Sequence, residues 1–298
     1  MTNWTGVFAV FAFSVVTQAS SNSTPVILWH GMGDSCCNPF SMGSVKKVIE
    51  REIPDIYVKS LMIGNNVMQD VENGFFKNAN KQVDNVCKQI SEDENLKNGY
   101  NSIGFSQGAQ FLRAVAQKCP QGMKKLISIG GQHQGIFGLP HCSGKHFQIC
   151  EYVRQLLSYG AYTPWIQHLL VQAQYWHDPL KEDTYKDSSI FLAGINNENE
   201  IIEEYKTNLN TLEKFVMIKF NNDTMVDPNV SSHFGFFKPN SSNETIPLEE
   251  TELFKEDRLG LKTMKDQGKL VFLAVNGDHL ELPKGFFENE IINKYLKN

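Results

Sequence analysis

No tract rich in proline, glycine or serine divides this chain of 298 residues, and it holds no internal repeat or low-complexity segment. Those absences exclude a string of modules on flexible linkers. They leave one large domain or two small ones for a chain that is 41% hydrophobic. Positive charge is not in excess either. Lys and Arg number 28 against 33 Asp and Glu, a formal charge of −5, so nucleic acid is not an expected partner. Beyond the N-terminus no apolar run approaches the length of about 20 residues that crosses a bilayer, so no transmembrane anchor is expected.

What is present begins with a short apolar core at residues 7–16, followed by Thr17-Gln18-Ala19. Small residues after such a core read as a secretory signal peptide over residues 1–19, although no Lys or Arg precedes the core. Residues 20–298 would then be one domain in an oxidising compartment. The six cysteines, Cys36, Cys37, Cys87, Cys119, Cys142 and Cys150, suit disulfides there and allow 15 pairings. The N-x-S/T sequons at Asn22, Asn222, Asn229, Asn240 and Asn243 agree with secretion. The cluster His141, Cys142, His146 and Cys150 fits no standard zinc spacing, so it is read as disulfide chemistry and no metal is expected.

The most informative stretch is Gly104-Phe105-Ser106-Gln107-Gly108. It follows an apolar strand pattern at residues 100–103 and precedes a helical one at 109–116. A serine on a sharp strand-to-helix turn, with glycines two residues either side, is the nucleophile elbow of the α/β-hydrolase fold. The glycines serve a steric need, because a side chain at 104 or 108 would crowd the neighbouring strand or helix. Strand signals at 26–29, 57–61 and 126–129 alternate with helical ones at 44–53 and 82–91, which predicts a mostly parallel sheet with helices on both faces. Residues 131–186 break the rhythm with helix-like stretches at 151–157 and 164–175. An insertion after the sixth strand is where such folds place a cap. Strands are expected to resume at 190–193 and 215–220 with a helix at 200–212 between them, then a last strand at 270–275 and a closing helix at 286–296.

A serine hydroxyl needs a base, and the base needs an orienting carboxylate. In this fold the order along the chain is Ser, then Asp or Glu, then His, with the last two on loops after late strands. His279 follows the last strand. Asp223 follows the strand at 215–220, and Asp227 is its rival. Asp278 is adjacent to the histidine and is expected to point away from its ring. An oxyanion would be met by the backbone N–H of Gln107 and by a second donor from His30-Gly31-Met32-Gly33: Met32, with Gly31 as the alternative. His30 is read as structural. No cofactor is required by this chemistry.

The segment 29–39, Trp-His-Gly-Met-Gly-Asp-Ser-Cys-Cys-Asn-Pro, resembles the palmitoyl-protein thioesterases. So do the elbow itself, the segments 130–135, 175–179 and 257–261, and the Asn222-Asp223-Thr224 and Gly277-Asp278-His279-Leu280 segments. The resemblance runs from about residue 25 to the C-terminus. One departure is Ala109, where the family pattern has glycine. The resemblance implies a lysosomal thioesterase, one that can also be secreted, that removes palmitate and similar fatty acyl groups from protein cysteines. Its partners would be S-palmitoylated proteins or peptides and fatty acyl thioesters. It implies Ser106, Asp223 and His279 as triad and Met32 and Gln107 at the oxyanion hole. It also implies a fatty-acyl groove formed in part by the 131–186 insertion, whose Val153, Leu156, Leu157, Trp165, Ile166, Leu169, Leu170 and Val171 supply apolar faces. Core packing would explain the same residues. The expected disulfides are Cys87–Cys119, Cys142–Cys150 and, favoured by the resemblance, Cys36–Cys37. Two other classes stay open at this point: a lipase or carboxylesterase acting on oxygen esters, and a non-catalytic binding module on the same fold. Oligomeric state is not legible.

Overall fold

The computed structural model describes residues 1, 23–138 and 147–297. The signal-peptide segment, Asn22, His141, Cys142 and His146 lie outside the described residues, and with them the Cys142–Cys150 pairing.

The strands are β1 (Val26–Trp29), β2 (Val58–Ser60), β3 (Tyr100–Phe105), β4 (Met123–Ile129), β5 (Lys214–Phe220), β6 (Phe236–Phe237), β7 (Thr245–Ile246) and β8 (Leu270–Val275). Six of them form one parallel sheet in the order β2-β1-β3-β4-β5-β8, while β6 and β7 make a small antiparallel ribbon. The helices α1 (Met42–Glu52), α2 (Val67–Phe76), α3 (Ala79–Ser91) and α4 (Gln107–Lys118) fill the first half. Then come α5 (Phe147–Gly160), α6 (Pro164–Leu169), α7 (Val171–Gln174), α8 (Glu182–Ser188), α9 (Leu192–Ile195) and α10 (Glu203–Leu209). The last are α11 (Glu252–Lys255), α12 (Leu261–Asp266) and the closing helix α13 (Phe287–Leu296). This is an α/β-hydrolase fold. Among the described residues no helix is long and apolar enough to cross a membrane.

Side chains alternate between the two faces of each strand, and every residue of β1 and β3 is buried. Val26, Leu28, Ile103 and Ile127 join a core with Met42 and Ile49 of α1 and Ile291 and Ile292 of α13. Ile27, Trp29 and Leu126 join the opposite core with Val83 and Val86 of α3 and Phe111 and Leu112 of α4. Near-continuous apolar strands are what a parallel sheet covered on both sides requires. A third cluster sits under the cap, where Val153, Leu156, Leu157, Ile166 and Leu170 close over Phe75 of α2. Cys87 of α3 is bonded to Cys119 at the end of α4. Closing a loop of that length is worth about 3–4 kcal/mol on chain-entropy grounds. Cys36 is bonded to its neighbour Cys37, with their Cα atoms 3.8 Å apart.

Four departures from the sequence pattern stand out. The insertion follows β4, the fourth strand in chain order rather than the sixth. The run at 190–193 is not a strand, since Leu192–Ile195 is the short helix α9. Phe191, Leu192, Ala193 and Ile195 are all buried, and a short, fully buried apolar run carries no period that separates helix from strand. The stretch 164–175 is two helices broken at Leu170, whose extended backbone turns its buried side chain into the cap cluster. Helix α2 is an addition to the expected elements, although Asn66 caps it through Gln69 N–H and Val67, Val71 and Phe75 recur at helical spacing.

Arg113 shows how the elbow helix is fastened. It is fully buried. Its guanidinium donates to Gln117 Oε1, the Ile195 carbonyl, the His133 carbonyl and Asn196 Oδ1, all within 3.1 Å. It also lies over the Phe234 ring. One side chain thus ties α4 to the loop after β4 and to α9. Arg113→Leu should strip hydrogen bonds from four buried acceptors and lower stability by about 3 kcal/mol or more. Urea or thermal unfolding of the purified variant measures this, and a loss below about 1 kcal/mol would contradict the role given to Arg113.

Candidate active site

Ser106 stands between the last residue of β3 and the first of α4 with φ 51° and ψ −122°. A non-glycine residue rarely adopts that conformation. Its N–H donates to the Ile129 carbonyl at 2.8 Å, which pins the turn to the end of β4. The flanking glycines are sterically required. A Cβ at Gly104 would fall 2.3 Å from Ala109 Cα, and one at Gly108 would fall 2.4 and 2.5 Å from the carbonyl oxygens of His30 and Trp29. The elbow helix therefore lies directly on the end of β1.

His279, on the loop after β8, donates from Nδ1 to Asp223 Oδ2 at 2.8 Å. The Asp223 side chain is fully buried and that of His279 nearly so. Asp223 Oδ1 accepts from the N–H groups of Met225 and Val226 at 2.9 and 2.8 Å. Those bonds fix the carboxylate without spending the oxygen that faces the ring. Asp227, the rival, is exposed and sits against Gly138. Asp278 turns away from the His279 ring and accepts from the N–H and hydroxyl of Thr224. It thereby straps the two loops together. The His279 ring and Ser106 converge on the end of β4, because a Cβ at Gly130 would lie 3.1 Å from His279 Cε1.

Met32 and Gln107 both border Ser106. The Gln107 N–H is the first of helix α4, and the leading N–H groups of a helix have no intrahelical partner. The Gln107 side chain is locked away from the site: its Nε2 donates to the Gly74 carbonyl, and its Oε1 accepts from Gln172 Nε2 and the Tyr175 hydroxyl. A Cβ at Gly31 would sit 3.1 Å from Ser106 Cβ, so the Met32 loop passes in contact with the serine. His30 is buried, with Nδ1 2.8 Å from the Gly31 carbonyl and Nε2 3.0 Å from Asp70 Oδ1.

A narrow cavity of about 20 Å³ opens at Ser106 between Met32, Gln132, Ile136, Gln172, Tyr175, Met225 and Val226. None of the eight apolar residues singled out in the insertion lines it. Val153, Leu156, Leu157, Ile166 and Leu170 pack in the cap cluster and Val171 in the main core, while Trp165 and Leu169 face outward. The lining residues Gln132 and Tyr175 do lie in two of the segments that carry the family resemblance. Gln172, Met225 and Val226 have no such signal. Of the sequons, Asn222, Asn240 and Asn243 are exposed. Asn229 instead donates its amide to the Phe220 and Asn221 carbonyls, and Ser231 of its sequon is buried.

A family model described as palmitoyl protein thioesterase matches residues 25–279. Palmitoyl-protein thioesterase 1 of Caenorhabditis elegans is 53% identical over 95% of this chain and 96% of its own. Palmitoyl-protein thioesterase 3 of Dictyostelium discoideum is 35% identical over 93% of this chain and 94% of its own. The lysosomal thioesterase PPT2 homolog of Drosophila melanogaster is 31% identical over 84% of this chain and 83% of its own.

Gly108→Ala should force β1 and α4 apart, because the new methyl group meets backbone rather than a yielding side chain. The expected cost is about 1–3 kcal/mol of stability together with most of the activity. Ala109→Gly, a change toward the family pattern, should cost no more than about 1 kcal/mol and leave turnover near wild type. Thermal midpoints and turnover of the two variants, compared side by side, check the contrast. Equal behaviour would mean that the contact with β1 does not shape the elbow.

Proposed function

The chain belongs to the palmitoyl-protein thioesterase family and is a palmitoyl-protein hydrolase, and from that premise we propose that Ser106, His279 and Asp223 are its nucleophile, base and orienting acid. The observation that carries this reading is the 2.8 Å bond from His279 Nδ1 to buried Asp223, which leaves the other ring nitrogen for a serine held on a strained elbow.

In the first step His279 Nε2 takes the Ser106 proton as Oγ attacks the thioester carbonyl carbon. The carbonyl oxygen gains the negative charge and is met by the N–H groups of Gln107 and Met32. The tetrahedral intermediate collapses by breaking the C–S bond. The thiolate leaves without prior protonation and then takes the proton from His279, which restores the neutral base, and the acyl group stays on Ser106. In the second step His279 draws a proton from water, whose oxygen attacks the acyl-enzyme. Collapse returns the proton to Ser106 and releases the fatty acid. Asp223 stabilises the imidazolium in both steps and keeps Nδ1 protonated. No cofactor enters the sequence.

The substrates we propose are S-palmitoylated proteins or peptides and related fatty acyl thioesters. The setting is lysosomal degradation, reached through the secretory pathway by way of the 1–19 signal. The similarity to a lysosomal thioesterase supports that setting. Surface glycans are proposed at Asn222, Asn240 and Asn243, with Asn229 a poorer acceptor once folded. The cavity at Ser106 holds about one water molecule. A palmitoyl chain therefore enters as Met32, Met225 and the cap helices shift.

Ser106→Ala should abolish hydrolysis of a palmitoyl-cysteine peptide in a folded protein, a loss on the order of 10⁶ in turnover. Asp223→Asn should lose on the order of 10⁴, while Asp227→Asn should stay within a few-fold of wild type. Asn222→Gln controls for the sequon that Asp223→Asn retains. If Asp227→Asn is the more damaging change, the assigned acid is wrong.

Activity should also rise with acyl length. At about 0.8 kcal/mol per buried methylene, four more carbons add about 3 kcal/mol, or roughly 100-fold in kcat/KM. The series to measure runs from acetyl to stearoyl thioesters below their micelle concentrations, with matched oxygen esters beside it. Met225→Gln should depress the long members more than the short ones. A flat profile, or a preference for oxygen esters, would make the protein a carboxylesterase or lipase in practice.

A further inference from the structure

The loop that carries Met32 is held by a buried pair that the mechanism above does not use. His30 lies in that loop and Asp70 on α2, and both are buried. Asp70 Oδ1 also accepts from the Ile63 N–H at 2.7 Å and Oδ2 from the Cys36 N–H at 2.8 Å. Both neighbours of the His30 ring, the Gly31 carbonyl and the Asp70 carboxylate, can only accept. Each therefore needs a proton on its ring nitrogen, which makes His30 an imidazolium opposite a carboxylate. The charge balance agrees. Burial works against the charge on His30, but Asp70, the Gly31 carbonyl and Asp34 together raise its pKa. Burial likewise works against the Asp70 charge, but His30 and the two N–H donors hold its pKa down.

The geometry has a direct consequence for the oxyanion. The Gly31 carbonyl and the Met32 N–H belong to one planar trans peptide and point in opposite directions across it. Gly31 O accepts from His30 Nδ1 at 2.8 Å and from the Asp34 N–H at 3.3 Å. Whatever orients that oxygen also aims the Met32 N–H the other way. A cation donating to the oxygen also polarises the peptide and strengthens the N–H as a donor. The same peptide follows Gly31, where a Cβ would lie 3.1 Å from Ser106 Cβ.

We propose that His30 and Asp70 are positioning residues for the reaction: their ion pair fixes the plane of the Gly31–Met32 peptide and so aims and polarises the second oxyanion donor. The proposal rests on the reading of Met32 as that donor. Neither residue touches substrate. Both act through the peptide.

Two isosteric variants separate positioning from simple support. His30→Gln keeps an N–H near the Nε2 position, toward Asp70, and loses the bond to Gly31. His30→Asn keeps an N–H near the Nδ1 position, toward Gly31, and loses the anchor to Asp70. Positioning predicts that the more stable variant, His30→Gln, is the poorer catalyst. Its kcat should fall between about 10- and 100-fold, short of or reaching the effect of deleting an oxyanion donor, with KM within about 3-fold of wild type. Its affinity for a palmityl trifluoromethyl ketone, which forms a tetrahedral adduct with the serine, should fall by the same factor. His30→Asn should melt earlier yet keep the larger share of kcat. If kcat follows the melting order instead, or if the loss in His30→Gln lies in KM, the pair is only structural and the proposal is overturned. Should His30→Gln fail to fold, Asp70→Asn carries the test through loss of polarisation: a several-fold lower kcat at unchanged KM is expected, and an unchanged kcat overturns the proposal. Ser106→Ala with the same ketone tests the underlying reading separately. If that variant still binds the ketone as tightly as wild type does, the nucleophile assignment fails, whatever the His30 variants do.

Discussion

The close approach of Gly108 to the carbonyl oxygens of Trp29 and His30 is the constraint on which the site depends. In the proposed oxyanion hole, two chain segments far apart in sequence share one oxygen only if helix α4 begins directly against the end of β1. No side chain fits between them. The same proximity forces Ser106 into its left-handed turn and brings the Met32 loop against the serine. Stability and reactivity therefore draw on one steric fact. A looser turn would relieve the strain at Ser106 and also move the donors out of reach of a common oxygen.

Parallel pairing extends that constraint across the molecule. All six strands of the main sheet run the same way, so the loops after β1, β3, β4, β5 and β8 leave from one edge. Met32, Ser106, Gln132, Asp223 and His279 are on those five loops in that order. Backbone hydrogen bonds then lock the loops to their neighbours: Ser106 N–H to Ile129 and Gly130 N–H to Ile218. Asp278 closes the set by binding Thr224. The polar groups that this convergence buries are met mainly by amides and backbone, as in the Gln107, Gln172 and Tyr175 cluster. Neutral partners carry a smaller desolvation penalty than ions. The two buried histidine–carboxylate contacts near the site, His30 with Asp70 and His279 with Asp223, each hold a loop in place.

Much of this is legible in the amino-acid sequence. The elbow announces itself through two glycines and a serine between a strand and a helix, because its sterics are local. Parallel strands with helices on both faces follow from apolar runs too short and too continuous for exposed sheets. The pattern misleads where locality ends. Residues 190–193 are all apolar and carry no period, so the helix at Leu192–Ile195, with Phe191, Leu192, Ala193 and Ile195 buried, cannot be told from a strand in sequence. The insertion's apolar residues look like an acyl groove. Val153, Leu156, Leu157, Ile166 and Leu170 instead pack against one another and against Phe75 of α2, because a hydrophobic face buries itself on whatever lies nearest.

The sequence by itself determined the class of chemistry and its order along the chain. Serine, then aspartate, then histidine is a property of the string, and so is the strand-to-helix setting of Ser106. Tertiary structure decided how the carboxylate meets the His279 ring. Asp223 and Asp227 are four residues apart, and the turn closed by Met225 and Val226 N–H directs the first inward and leaves the second exposed. It alone paired His30 with Asp70 across 40 residues, and it alone chose Gln172, Met225 and Val226 as cavity wall. The reason is physical. Local sterics and hydrogen bonding act over a few residues and can be read in order, whereas a contact between distant segments exists only after the sheet has set the distance between them.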